Sequence, residues 1–280
     1  MELSPLILKW LTILLRWSHV FFAITWVGNS YLFNYLDNKL KKNIKSEDVD
    51  AEDILQHSGY YYKLTRFKGV PKEVPKNLII FKWQSYLTFI TGILLLIVIY
   101  YANAKILMMD SRVNASITPL MGISISVFSI IISWLIYDLV CKSKLINYKI
   151  IFPVVLLIIG SFFSYGLTQI YGARFAFLSV GIILGCIMFF NVFFIIITNG
   201  KNITSSALNK TKFDLSLSLQ AKTRSVHNNI ITLLVLFVML SGHASFIWIS
   251  KYNWLILAIL AILFGLIRYY FNWKNKRESN

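Results

Sequence analysis

The sequence predicts an all-α fold, a polytopic transmembrane helical bundle, and three observations predict it. First, 57% of the residues are hydrophobic and the mean hydropathy is +0.64, more apolar surface than a soluble domain of 280 residues has interior to hold. Second, the apolar residues fall in seven continuous runs of about 20 residues or more, the length that crosses a bilayer as helix; a membrane β-barrel would show short alternating segments instead. Third, Lys and Arg lie mostly in the connections between runs, and they lie there unevenly.

The runs cover 6–36, 78–101, 118–138, 150–170, 175–198, 228–249 and 253–271. The first is overlong and carries Lys9 and Arg16, so it is expected to begin at the interface, where Trp10 and Trp17 suit the headgroup region. It is too long for a cleavable signal peptide and has no small-residue cleavage site at its end. Aromatics mark the ends of other runs: Trp83, Tyr100, Tyr101, Trp248, Trp254, Tyr269 and Trp273. In the connection 37–77, Asp37 to Asp53 reads as a solvated helix or loop. The stretch from His57 to Phe67, with three tyrosines, reads as an interfacial segment or as a lid stacking on a flat ligand, and Pro71 and Pro75 break regular structure after it. Gly181 and Gly185 have the small-x-x-x-small spacing that lets helices approach closely. The whole chain, 1–280, reads as one integral membrane domain.

Seven crossings put the termini on opposite sides. The connections 37–77, 139–149, 199–224 and 272–280 hold 20 Lys and Arg, against 4 in the other set. The positive-inside rule then predicts the N-terminus outside and the C-terminus cytoplasmic. The same distribution accounts for the net charge of +16 through membrane topology, and no nucleic-acid partner is expected. Cys141 and Cys186 form neither a zinc pattern nor a Cys-x-x-Cys-His site, so no covalent c-type haem is expected in this chain.

Polar groups inside spans are functional candidates, because the bilayer makes them expensive. His19 and His243 read as lying at depth in different spans, and an imidazole there either bonds a neighbouring helix or ligates a metal or haem. His227 and His243 are separated by about 24 Å of helix, so they cannot share one iron; His19 and His243 are the expected pair for a buried haem. At the cytoplasmic lip of the sixth run, Arg224, His227, Asn228 and Asn229 offer a cation, an acid/base and two amides. The plainer reading of that lip is a helix N-terminus with polar caps. Asn191 and Gln169 read as buried amides joining helices. Nothing supports a hydrolase or a nucleotide-binding protein.

The pattern is more specific than its pieces. Leu15-Arg16-Trp17-Ser18-His19-Val20, followed by Ile24-Thr25-Trp26-Val27-Gly28, resembles the opening of the membrane domain of bacterial cytochrome c-linked urate oxidases. Phe33-Asn34-Tyr35-Leu36-Asp37-Asn38, His57-Ser58-Gly59, Phe81-Lys82-Trp83 and Tyr137-Asp138-Leu139-Val140-Cys141 continue the likeness in order. Tyr165-Gly166-Leu167-Thr168-Gln169, Asn191-Val192-Phe193-Phe194 and Arg224-Ser225-Val226-His227-Asn228-Asn229 complete it over nearly the whole chain. Gln84, where the pattern has an acidic residue, and Thr232-Leu233-Leu234, without a proline, depart from it.

The resemblance implies oxidation of urate or a related purine in the inner membrane of a bacterium, with electrons passed to a cytochrome c. Family members continue with another span and a cytochrome c domain. Because this chain stops at Asn280, the expected acceptor is a separate cytochrome c or a quinone. Urate is a planar anion. Arg224 and Arg66 would pair with it, Asn228 and Asn229 would read its edges, Tyr61 would stack on it, and His227 or His57 would take a proton. No side-chain set spans the bilayer as a redox relay, so a non-covalent haem b on His19 and His243 is the economical electron path. Two other readings use the same residues: a non-catalytic haem-binding electron-transfer or cofactor-assembly protein, and a purine transporter.

Overall fold

The computed structural model describes residues 5–278 except 44, 72–73, 75–77, 79, 210 and 212–213; Pro75 therefore lies outside the described residues. In chain order the helices and strands are α1 (Pro5–Lys39), β1 (Lys41–Lys42), β2 (Val49–His57), β3 (Tyr60–Phe67), α2 (Trp83–Leu95), α3 (Ala104–Leu107), α4 (Pro119–Lys142), α5 (Ile151–Thr168), α6 (Ala173–Phe190), α7 (Ile197–Leu208), α8 (Leu215–Leu240), α9 (Ser245–Trp248) and α10 (Asn253–Glu278). Two π-helical stretches, Leu96–Tyr101 and Asn191–Ile196, extend α2 and α6. Among the described residues seven helical segments are long and apolar enough to cross a membrane, in agreement with the seven expected runs. The chain divides into two compact units, one of residues 1–26, 83–190 and 231–265, the other of 27–82, 191–230 and 266–280.

The first unit is built on α6, which packs against α2, α4, α5 and α9. Its core gathers Phe175, Ile183 and Ile187 of α6 with Ile130, Tyr137, Phe152 and Leu167. Helices approach closely in membranes where small residues face each other, and Thr88, Thr91, Ser126, Ser129, Ser164 and Ser179 are all buried here. The Gly181 contact is of this kind: a Cβ added there would stand 2.7 Å from Cγ1 of Val238, while one at Gly185 would meet nothing within 4 Å. Only half of the small-x-x-x-small pair is used. Thr118 caps α4 by accepting from the Met121 amide, with Pro119 in the first turn, a position where the missing N–H costs nothing. Burial pushes the Tyr171 phenol up from its ordinary value, so the group stays protonated and donates to the Gly122 carbonyl at 2.7 Å.

Among the described residues, the second unit contains the one departure from an all-helical fold. The connection expected as solvated helix, loop and lid is a three-stranded antiparallel sheet in the order β1-β2-β3. β2 and β3 pair from Val49 opposite Phe67 to His57 opposite Tyr60. The two-residue turn between them places Ser58 at φ 50 and Gly59 at φ 82, the left-handed geometry that matches strand twist and favours glycine. Arg66 closes the open end of this hairpin, donating through Nε to Asp50 at 2.7 Å and through Nη1 to the Asp37 carbonyl at 2.8 Å.

Two helix ends also differ from expectation. α8 begins at Leu215, not at the apolar boundary near 228. The preceding Ser, Gln, Lys and Thr residues continue the helix, but hydropathy sees only its apolar part. At the other end α8 stops at Leu240, and Ser241–His243 form a 3-10 turn. His243 is therefore at the end of its span and exposed, rather than deep inside it.

Candidate functional site

Because α8 starts early, Arg224, His227, Asn228 and Asn229 lie within the helix and not at its N-terminal cap. Residues four apart share a helix face, and a neighbour one residue on points elsewhere. Arg224 and Asn228 accordingly meet the same partner. Asn191, fully buried at the first residue of the π-helical stretch, accepts from Arg224 Nη1 at 3.2 Å and donates to Asn228 Oδ1 at 2.9 Å. Asn191 thus joins helices as expected, whereas Gln169 is exposed and bonds its neighbour Thr168.

Asn229 serves a second cluster. Its Oδ1 accepts from Arg268 Nε at 3.0 Å and from Arg268 Nη2 at 2.5 Å, and its amide makes a long contact of 3.5 Å with the Ser30 carbonyl. Arg268 Nη2 also donates to Asn34 Oδ1 at 3.1 Å. The Arg268 guanidinium lies 4.2 Å from the centre of the Tyr31 ring, a cation–π distance. Arg224 and Arg268 are only 1% and 8% exposed. No carboxylate among the described residues pairs with Arg268, whose contacts are neutral amides and an aromatic face. Beside it, the buried Tyr31 hydroxyl has no hydrogen-bond partner among the described residues. A buried guanidinium held by neutral dipoles keeps its positive potential, and an anion is its natural complement.

Sequence reasoning missed Arg268, Tyr31 and Asn34. The signal was present for Arg268, a guanidinium inside the seventh apolar run. Asn34 stood in a stretch quoted only for its likeness.

The remaining candidates separate. His57 and Tyr61 are exposed at the turn end of the hairpin. Arg66 is five residues along β3 from Tyr61, about 17 Å at strand rise, and is engaged by Asp50 and Asp37. The hairpin therefore does not bring Tyr61 and Arg66 together in one pocket. His227 is half-buried on α8.

In the first unit His19 Nδ1 lies 3.0 Å from the Thr88 carbonyl and 3.1 Å from Thr91 Oγ1. A carbonyl only accepts, so Nδ1 carries the proton and Nε2 carries the lone pair. Metal-bound histidines adopt this arrangement, with the distal N–H fixed by a carbonyl. Gly92 leaves room for the ring: a Cβ there would stand 2.9 Å from His19 Cε1. Nε2 of His19 would be the atom to hold a metal group. Among the described residues no group of three or more His, Cys, Asp or Glu could hold a metal ion.

Seven spanning helices with two buried guanidiniums in an amide network define a polytopic helical membrane protein with an ionisable interior. The chain belongs to the family described as Urate oxidase N-terminal, whose model matches residues 5–280. Membership supports an oxidoreductase-like role in a membrane setting. No curated protein and no solved structure matches the chain.

Proposed function

We propose that this protein oxidises urate at the amide–guanidinium network of the second unit. Family membership supports the substrate. The observation that carries the site is the buried Arg268, whose partners among the described residues are all neutral, beside a Tyr31 hydroxyl with no hydrogen-bond partner among them. In this reading Arg224 and Arg268 hold the urate anion in a low-dielectric setting where charge pairing is strong. Asn228 and Asn229 read its edges, and His227 takes a proton as two electrons leave the purine. His57 and Tyr61, exposed at the hairpin tip, are left without a role in this site, while Arg66 anchors the hairpin.

The electrons pass to a separate cytochrome c or quinone. Haem b would supply one-electron chemistry when bound, and Nε2 of His19 would hold it; His243, exposed at the end of its span, does not offer the buried second imidazole expected from the sequence. The tautomer fixed by Thr88 supports the His19 half of this assignment. The charge bias of the connections supports an inner-membrane orientation with the substrate side cytoplasmic.

Equilibrium binding of urate to the purified protein tests the site. Arg224→Ala and Arg268→Ala should each weaken binding about 10- to 100-fold, the range for hydrogen bonds to a charged group. Wild-type affinity in both variants would remove the site from this network.

A further inference from the structure

The first unit carries a feature that urate chemistry does not use. A groove of about 440 Å³ lies along the N-terminal part of α1, with the end of α2 as its other wall. Its apolar lining includes Leu8, Ile13, Val98 and Ile99, and two cations, Lys9 and Arg16, stand in it. Positions 8, 9, 12, 13 and 16 form one stripe of a helix. Lys9 and Arg16 are about 10.5 Å apart along the axis, within reach of one group placed between two such long side chains. Among the described residues no carboxylate pairs with either cation.

The other polar lining groups are already committed. Thr12 Oγ1 donates to the Leu8 carbonyl at 2.8 Å, and Asn103 Nδ2 donates to the Ile99 carbonyl at 3.0 Å. Lys9 and Arg16 are the donors left for a ligand, so the groove selects negative charge. α1 has no buried residue, so the groove opens on a helix whose apolar side chains face outward. The wall opposite contains the π-helical stretch Leu96–Tyr101, where the Ala102 amide reaches the Ile97 carbonyl at 2.9 Å. Such stretches are frequent at functional sites.

We propose that this groove binds one anionic phospholipid, its phosphate between Lys9 and Arg16 and its apolar part against Ile13, Val98 and Ile99. Free phosphate would leave the apolar wall unused, and a neutral lipid would leave the two cations without a counter-charge. On either face of a membrane, a pair of cations beside an apolar wall complements a lipid with a charged phosphate.

The test is native mass spectrometry of the full chain in detergent, with phosphatidylglycerol or phosphatidylcholine added at equal concentration. The wild type should retain one phosphatidylglycerol in preference to phosphatidylcholine. A Lys9→Gln/Arg16→Gln double variant should lose about 10- to 30-fold in that preference, from two near-surface cations. The charge-preserving Lys9→Arg/Arg16→Lys variant should keep it. Equal retention of both lipids by the wild type overturns the proposal whatever the variants do, including a double variant that fails to fold. Undiminished preference in a folded double variant also overturns it, as does inorganic phosphate displacing the lipid at equal concentration. Urate binding is measured separately, so loss of the lipid preference and loss of the urate site are distinguishable.

Discussion

His19 and Arg268 illustrate how a single side chain acquires a role from its neighbours. His19 has its donor nitrogen fixed by the Thr88 carbonyl and its ring seated against Gly92, where a Cβ would come within 2.9 Å of Cε1. Gly92→Ala should therefore displace the imidazole. The expected result is a lower melting temperature and, for the haem proposed on His19, a weakened Soret band in the purified protein. Gly160→Ala, where nothing lies within 4 Å, should leave both unchanged. A normal spectrum and melting temperature in Gly92→Ala would mean that the ring is not held there. Arg268 is a guanidinium inside the seventh apolar run. Its burial among Asn229, Asn34 and Tyr31 turns it into an interior cation. Lysine cannot reproduce the planar fork of donors, so Arg268→Lys should destabilise the protein by about 1–3 kcal/mol, read as a fall in melting temperature.

Helices and strands diverged from the hydropathy pattern at their ends and in the longest connection. α8 runs 13 residues further toward the N-terminus than its apolar part, because helix formation tolerates polar residues that a hydropathy window discounts. The hairpin turns at Ser58-Gly59, in a connection that reads as loop and lid because charges such as Asp50 and Arg66, which pair with each other, interrupt the strand alternation. The two glycines of the small-x-x-x-small spacing make unequal contacts. Gly181→Ala should drive a methyl into Val238 and destabilise by about 1–3 kcal/mol, the usual range for overpacking. Gly185→Ala should be close to neutral. Thermal denaturation of both variants checks this, and equal shifts would mean that helix propensity, rather than contact, sets the effect.

Over the full chain, the charge bias makes its own prediction. A reporter fused to the C-terminus should be active only on the cytoplasmic side, and one inserted in the 102–117 connection only outside. The reverse pattern would invert the expected orientation and remove the cytoplasmic urate site with it. Each span announced itself through length and apolarity alone, because transfer into a bilayer sums over consecutive residues. Family membership was legible too, in short motifs strung along the chain. Contacts between buried polar groups were not legible, because they are not local. Arg268 meets Asn34 across 234 positions, and Asn229 approaches Ser30 across 199. Composition and order were enough to say that this is a seven-span membrane protein of the urate oxidase N-terminal family. Which amide answers which guanidinium was settled by packing, since desolvated hydrogen-bonding groups take the partner that the folded helices bring within reach.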